Sequence, residues 1–511
     1  MKLSFTRARG PVSTLILTAL ALALAAKVWD VIRAPAEPPP DSPLLVNDVS
    51  RLNPIRVSEI ITPTTTEEIV EAVRRHSGPI AIGGARHSMG GQIATDGALH
   101  IDMRPFNRIL EFSSERKTIT VQAGTRWRQI QERIDSANLA VKIMQSYANF
   151  TVGGSLSVNG HGRYVGLGPL ISSVKSLHVV LADGSFVEAT PTSNADLFNG
   201  VIGGYGGLGV IADATLELTD NVKVKRQDEI MPVAQYKRYF VNRVRGSSVV
   251  FHNAVLYPND YDTVRAVNYV ATDDRVTVED RLTPSDESYR LNRLLYWAVS
   301  EWPWGSLIRR RLIDPIYFAG EPVTWRNYEA SLDVAELEPS SRATSTYVLQ
   351  EYFVPVDRFD DFVPLMRDVF GPRRVNVVNV SIRHASPDVR SLLAWARTEV
   401  FAFVVYYKQG TTELAKRDVG VWTRELIDAA LHVGGSYYLP YQLHATDEQF
   451  RRAYPRAAEY FALKRRVDPA NKFRNELLDK YYHPVSAGSG GVRARGLAMS
   501  RGRDAPPIGG S

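Results

Sequence analysis

The chain has 511 residues, 44% hydrophobic and 23% charged, an ordinary globular balance with material for two or three domains. It holds no cysteine, which excludes disulfides, thiolate metal sites, iron–sulfur clusters and cysteine nucleophiles. The formal charge of +6 sits at the ends, on Lys2, Arg7 and Arg9 and on Arg493, Arg495, Arg501 and Arg503 against Asp504; the neutral body between them predicts no nucleic-acid partner.

Residues 1–33 read as a targeting segment. Positive charges precede an uncharged, Leu- and Ala-rich run from Pro11 to Ala26. As a helix that run reaches about 24 Å, short of the ~30 Å hydrocarbon core. The segment is expected to be a signal anchor or a cleaved signal peptide. Its charge bias would leave the body membrane-anchored or exported, on the non-cytoplasmic side of a bacterial-type inner membrane. A proline-rich linker follows at 34–44, and the tail 484–511 lacks apolar periodicity and is expected to be disordered.

From 45 to 222 short β-type runs alternate with helical ones. TTTEEIVEAVRRHS (64–77) has a threonine cap, acids in its first turn and apolar residues at helical spacing. PIAIGGA, ALHIDM (98–103) and KTITVQAG (117–124) read as strands, and TRWRQIQERIDSAN (125–138) as a helix. SLHVVLADGSFVEAT (176–190) reads as a hairpin turning on Asp183-Gly184.

Two glycine-rich segments stand out. The first carries Gly83, Gly84, Ala85, Arg86, His87, Ser88 and Gln92; the second carries Thr151, Gly153, Gly154, Ser157, Asn159, Gly160 and His161. Dense glycines let a backbone approach a ligand and present successive N–H groups as an anion nest, as a diphosphate requires. A third segment, Gly204 to Gly209, matches GxGxxG, but a helix end precedes it and a strand follows. That order is the reverse of the dinucleotide fingerprint, so a Rossmann NAD site is rejected.

GARHSMGGQ, VQAGTRWRQI, TVGGSLSVNGHG, LADGS and LFNGVIGGYGGLGVI, in this order, resemble the FAD-binding domain of the vanillyl-alcohol oxidase superfamily, the PCMH-type fold. The resemblance implies FAD, with its diphosphate on the two glycine loops and a flavin edge met by the backbone of Ile211. His87 matches the histidine that aldonolactone and alditol oxidases bond covalently to the flavin; a hydrogen bond beside the diphosphate is the alternative. His161 is expected to shape the second loop. Ser146 matches a substrate-facing serine of the alditol oxidases, with a capping role as the alternative.

The implied fold is α+β: a two-subdomain FAD-binding domain at 45–222, an inserted α+β substrate (cap) domain at 223–430, and a return segment at 431–483. An amphipathic helix is expected at 286–302, leading into Trp302-Pro303-Trp304 and Arg309-Arg310-Arg311. STYVLQEYFVP (345–355), RVNVVNVSIRHAS (374–386) and EVFAFVVYY (399–407) read as strands of a half-buried sheet with polar residues projecting on one face. By resemblance, Gln350, Glu351 and Arg383 meet substrate, as base or as a cation for a developing alkoxide. Two positions depart from the pattern: Ser381 stands where alditol oxidases carry glutamate, and Tyr441 where decaprenylphosphoryl-ribose oxidase carries lysine. Tyr438 and Tyr441 either hydrogen-bond to substrate or flavin, or pack.

The resemblance implies an FAD-dependent oxidoreductase that takes hydride from a CH–OH group of a sugar, polyol or aldonolactone. Dioxygen or a membrane electron carrier would be the acceptor, with the membrane reached through the N-terminal segment. The alternatives are a lipid-linked pentose oxidase and a flavin-binding structural or assembly protein. No metal is expected.

Overall fold

The computed structural model describes residues 42–258, 260–285, 300, 305–337, 339 and 341–483. The expected targeting segment, most of the linker, nearly all of the 286–302 helix, the Trp302–Trp304 run and the tail lie outside the described residues. Among the described residues, no helix is long and apolar enough to cross a membrane. That finding corrects the expected membrane-anchored or exported localisation and the membrane partnership, which are withdrawn.

A small sheet of β1 (Leu45–Val46) and β2 (Ile55–Arg56) opens the chain. Strands β3 (Glu59–Ile61), β4 (Ile80–Gly83) and β5 (Leu99–Asp102) form a parallel sheet in the order β3-β5-β4. The crossover helix α1 (Thr66–Arg75) starts at Thr65, which forms a capping box with Glu68, and it buries Ile69, Ala72 and Val73. The chain's end returns to this sheet. Ile80 N–H donates to Lys472 O at 2.6 Å and Arg474 N–H to Ile80 O at 2.9 Å, on either side of a parallel bridge to Phe473.

The second sheet contains β6 (Ile109–Ser113), β7 (Thr118–Gln122), β8 (Leu139–Val141), β9 (Val174–Val180), β10 (Phe186–Ala189) and β11 (Val210–Asp220). Its order is β10-β9-β11-β7-β6, with β8 also on β11. The β9–β10 hairpin turns on Asp183-Gly184, where φ of Gly184 is +79°. Helices α2 (Trp127–Ile134) and α3 (Val152–Ser157) lead from this sheet toward the second glycine loop.

The third sheet has eight strands: β12 (Lys223–Pro232), β13 (Val249–Leu256), β14 (Thr263–Ala271), β15 (Val323–Trp325), β16 (Ser345–Pro355), β17 (Val377–Ala385), β18 (Val400–Gly410) and β19 (Ser436–Tyr437). Their order is β15-β12-β14-β13-β17-β18-β16-β19. Helices α4 (Phe359–Arg373) and α5 (Glu413–His432) cover one face. There Phe359 and Phe362 lie 5.6 and 4.9 Å from Phe403, ring to ring, and Trp422 lies 4.9 Å from Tyr407. Each such side chain contributes roughly 1.5–3 kcal/mol of burial. β18 is buried along nearly its whole length, so the sheet is more deeply covered than a half-buried reading allows. The opposite face meets the glycine loops.

Candidate functional site

The glycine loops, the 205–211 turn and the free face of the eight-stranded sheet enclose one cleft. It holds roughly 1700 Å³ of empty space, its solvent-open mouth included. Gly84, Ala85, Arg86, His87, Ser88 and Gln92 line it from the first loop, and Thr151, Gly153, Gly154, Ser157, Gly160 and His161 from the second. Ile211, Ser146, Glu351 and Arg383 line it as well.

Three expected residues do not. Gly83 ends β4 against the ring of His100, where an added Cβ would come within 2.6 Å of the imidazole. Asn159, at φ +48°, turns its side chain away. Its Nδ2 donates to Asp388 at 2.9 Å and Ser391 at 3.0 Å, and its Oδ1 accepts from Ile171 N–H at 3.0 Å, so it ties the second loop to the 388–391 turn. Gln350 sits beside Glu351 on β16, and a strand alternates its faces. Leu349, Glu351, Val404 and Tyr406 therefore face the cleft, while Gln350, Tyr352, Val405 and Tyr407 face α4 and α5. The expected role of Gln350 in contacting substrate is corrected accordingly.

The loops fit a flavin nucleotide. A Cβ at either Gly84 or Gly154 would collide with Thr151 Oγ1, so only glycine leaves that oxygen between them. Thr151 Oγ1 is itself buried without a hydrogen-bond partner, a polar group aimed at a ligand. Arg86 adopts φ +63° and donates from its guanidinium to Asp102 at 3.0 Å, and its buried Nε has no partner. His87 lies 4.6 Å from the ring of Phe150, and its Nδ1 is buried and unpartnered. Burial, and then the charge of Arg126, lower its pKa to about 4, so the ring is neutral at physiological pH.

The GxGxxG segment is a turn, as its order in the chain implies. Tyr205 (φ +53°), Gly206 (+71°) and Gly209 (+155°) bend the chain into β11, and all three line the cleft. The return segment grips this turn. On α6 (Ala457–Val467), Lys464 donates to Gly207 O at 2.9 Å, Phe473 O at 2.8 Å and Asp468 at 2.9 Å; neither Lys464 nor Asp468 has any exposed side chain. Asn475 caps α7 (Glu476–Tyr481) and donates to Tyr205 O at 2.8 Å. Gln92 donates to Leu439 O and Tyr441 O, at 2.6 and 2.8 Å, and so holds the 438–441 segment against the first loop.

That docking brings in side chains that sequence reasoning left open or missed. Tyr438 donates to Val158 O at 2.9 Å, so its hydroxyl is engaged by backbone. Tyr441 donates to Glu351 Oε2 at 3.2 Å, and Glu351 Oε1 lies 2.8 Å from His161 Nε2. Gln145, Tyr147, Phe150, Arg342, Tyr347, Leu349, Val404 and Tyr406 were not anticipated. Strand alternation from Glu351 would have found Leu349, but nothing local marks Arg342. Arg383, on β17, has a buried Nε without a partner.

Known proteins give this geometry a context. A family model described as an FAD binding domain matches residues 57–190. The chain is 37% identical over 164 residues to an uncharacterized oxidoreductase (ORF5 in fasciation locus) of Rhodococcoides fascians, a match covering 31% of this chain and 37% of that protein. It is 25% identical over 438 residues to the alditol oxidase of Streptomyces sp. (strain IKD472 / FERM P-14339). It is 23% identical over 458 residues to the decaprenylphosphoryl-beta-D-ribose oxidase of Mycolicibacterium smegmatis. Each of these two matches covers 82% of this chain and 94% of the relative. The matched stretch holds both glycine loops, whose glycines and unpartnered Thr151 and His87 leave room for the same nucleotide. Residues 57–190 thus match an FAD binding domain, and the chain is similar along 82% of its length to an alditol oxidase and to a decaprenylphosphoryl-beta-D-ribose oxidase.

Proposed function

We propose that the protein oxidises a CH–OH group of a sugar, polyol or aldonolactone, with dioxygen or an electron carrier as final acceptor. The observation that carries this reading is the meeting of the two glycine loops with Glu351, Arg383 and Ser146 in one cleft. The alditol oxidase relative, aligned along 94% of its length, supports the donor class. In this proposal residues 45–222 hold the nucleotide, 223–430 form a substrate cap inserted into that domain, and 431–483 return to it. Gly84, Thr151, Gly153 and Gly154 would cradle the diphosphate, and His87 would bond the flavin covalently through a neutral ring nitrogen. FAD, when bound, supplies the hydride acceptor. Arg383 offers a guanidinium to the donor oxygen as charge develops on it. Glu351 offers a carboxylate for the hydroxyl proton, and Ser146, buried on the wall, a hydroxyl to orient the donor.

The test is anaerobic mixing of the yellow holoenzyme with xylitol, sorbitol and L-gulono-1,4-lactone. Bleaching of the flavin by any of them is the expected result; failure with all three would remove this donor class. A second reading, a lipid-linked pentose donor, is favoured by the apolar pair Leu349 and Val404 beside Glu351. It predicts bleaching only by a prenyl-phosphate-linked sugar.

Acid precipitation tests His87 separately. Yellow colour should stay in the washed pellet of the wild type and pass to the supernatant for His87→Ala. Colour released from the wild type would make the flavin non-covalent.

A further inference from the structure

We propose that Tyr441, Glu351 and His161 form a built-in proton relay that takes up the donor's hydroxyl proton and stores it on Glu351 beside the reduced cofactor. The proposal rests on the CH–OH reading only for the source of that proton. Three side chains from segments far apart in sequence converge here. Tyr441 Oη donates to Glu351 Oε2 at 3.2 Å, and Glu351 Oε1 lies 2.8 Å from His161 Nε2. Glu351 is 3% exposed and His161 5%, yet both border the cleft with Tyr441. A carboxyl group buried this deeply needs a hydrogen-bond partner on each oxygen. Here one oxygen faces His161 and the other the hydroxyl of Tyr441, a residue that lines the cleft.

The surroundings define each member's part. Besides His161, the ionisable groups that interact electrostatically with Glu351 or Tyr441 are Tyr205, Tyr438, Tyr454 and Arg383. Burial pushes all four tyrosines, Tyr441 included, far above the ordinary phenol range. Tyr441 is therefore a poor place for a negative charge, and it hands a proton on to the carboxyl oxygen to which it already donates at 3.2 Å. Glu351 is the acceptor. His161 is a positioning residue: its Nδ1 lies 3.2 Å from Gly162 O and its ring 4.9 Å from Trp395 and 5.8 Å from Phe353, contacts that hold Nε2 against Oε1.

The step balances. The donor's O–H bond breaks and its proton joins Tyr441 Oη, while the proton already on Oη moves to Glu351 Oε2. With FAD bound to accept it, the C–H electron pair would leave as hydride, and the C–O bond would become C=O. Hydride brings one negative charge into a low-dielectric cleft, and protonation removes one from Glu351. Net charge in the cleft is unchanged, which avoids a Coulomb cost that water cannot screen there.

Chemical reduction tests this without any donor. Dithionite reduction of the holoenzyme should produce a protonated-carboxyl band in the reduced-minus-oxidised infrared spectrum, and the band should shift in deuterium oxide. The band should vanish in Glu351→Gln. It should persist at the same frequency in His161→Gln, whose amide can still hydrogen-bond Oε1, and shift in frequency in His161→Leu, which leaves that oxygen without its partner. Tyr441→Phe should keep the dithionite band but slow donor-driven flavin reduction about 100-fold. No band in the wild type, or a band surviving in Glu351→Gln, overturns the relay. A wild-type band with no bleaching by any CH–OH donor would leave the relay standing and sink the donor class instead.

Discussion

Replacing Arg383 by methionine lowers the rate of anaerobic flavin reduction by a bleaching donor about 10²–10³-fold, with flavin content unchanged. The size follows from what Arg383 offers. Its Nε is buried without a partner on β17, and the residue lines the cleft. A fixed donor aimed at an oxygen that becomes negative only during reaction stabilises the transition state more than the bound substrate. Lysine at this position restores part of the rate, since it returns the charge but not the planar fork. The loss should appear in kcat as well as kcat/KM. A change in KM alone would make Arg383 a binding residue and nothing more.

Lys464→Met destabilises the protein by about 3–5 kcal/mol and loosens its hold on flavin. Lys464 and Asp468 have no exposed side chain and lie 2.9 Å apart, and burial pushes the Lys464 ammonium below its ordinary pKa against the pull of Asp468. Methionine removes one charge and strands the other, leaving Asp468 with only the N–H groups of Lys472 and Phe473. It also frees the carbonyls of Gly207 and Phe473, which tie the cleft-lining turn to the return segment. Urea unfolding of the wild type, Lys464→Met and the Lys464→Met/Asp468→Asn pair measures this. The double replacement should recover much of the loss, because it leaves no charge buried alone. Equal losses would show that the carbonyl contacts, not the ion pair, carry the effect.

Much of the site was legible because its signals are local. Glycines packed against Thr151, the Thr65–Glu68 capping box and the Asp183-Gly184 hairpin depend on neighbours within a few residues. The two-residue period of β16, β17 and β18 was visible too, since β-branched and aromatic residues favour pleated backbone wherever they lie. Periodicity marks two faces without saying which one is which. Gln350 and Glu351 are equally polar, and the choice between them was made by α4 and α5 packing onto the side that carries Tyr352 and Tyr407.

The amino-acid sequence alone determined the two glycine loops, the rejection of a Rossmann turn at 204–209 and the strands that bear Glu351 and Arg383. Each of these is set by backbone preferences that act over a handful of residues. Tertiary structure alone decided that Asn159 turns outward to Asp388, that Tyr441 reaches Glu351 across 90 residues, and that His161 meets the same carboxylate across 190. Such pairings depend on which buried polar groups find a partner once the sheets close over one another. That condition is satisfied in three dimensions and leaves no mark in the local pattern.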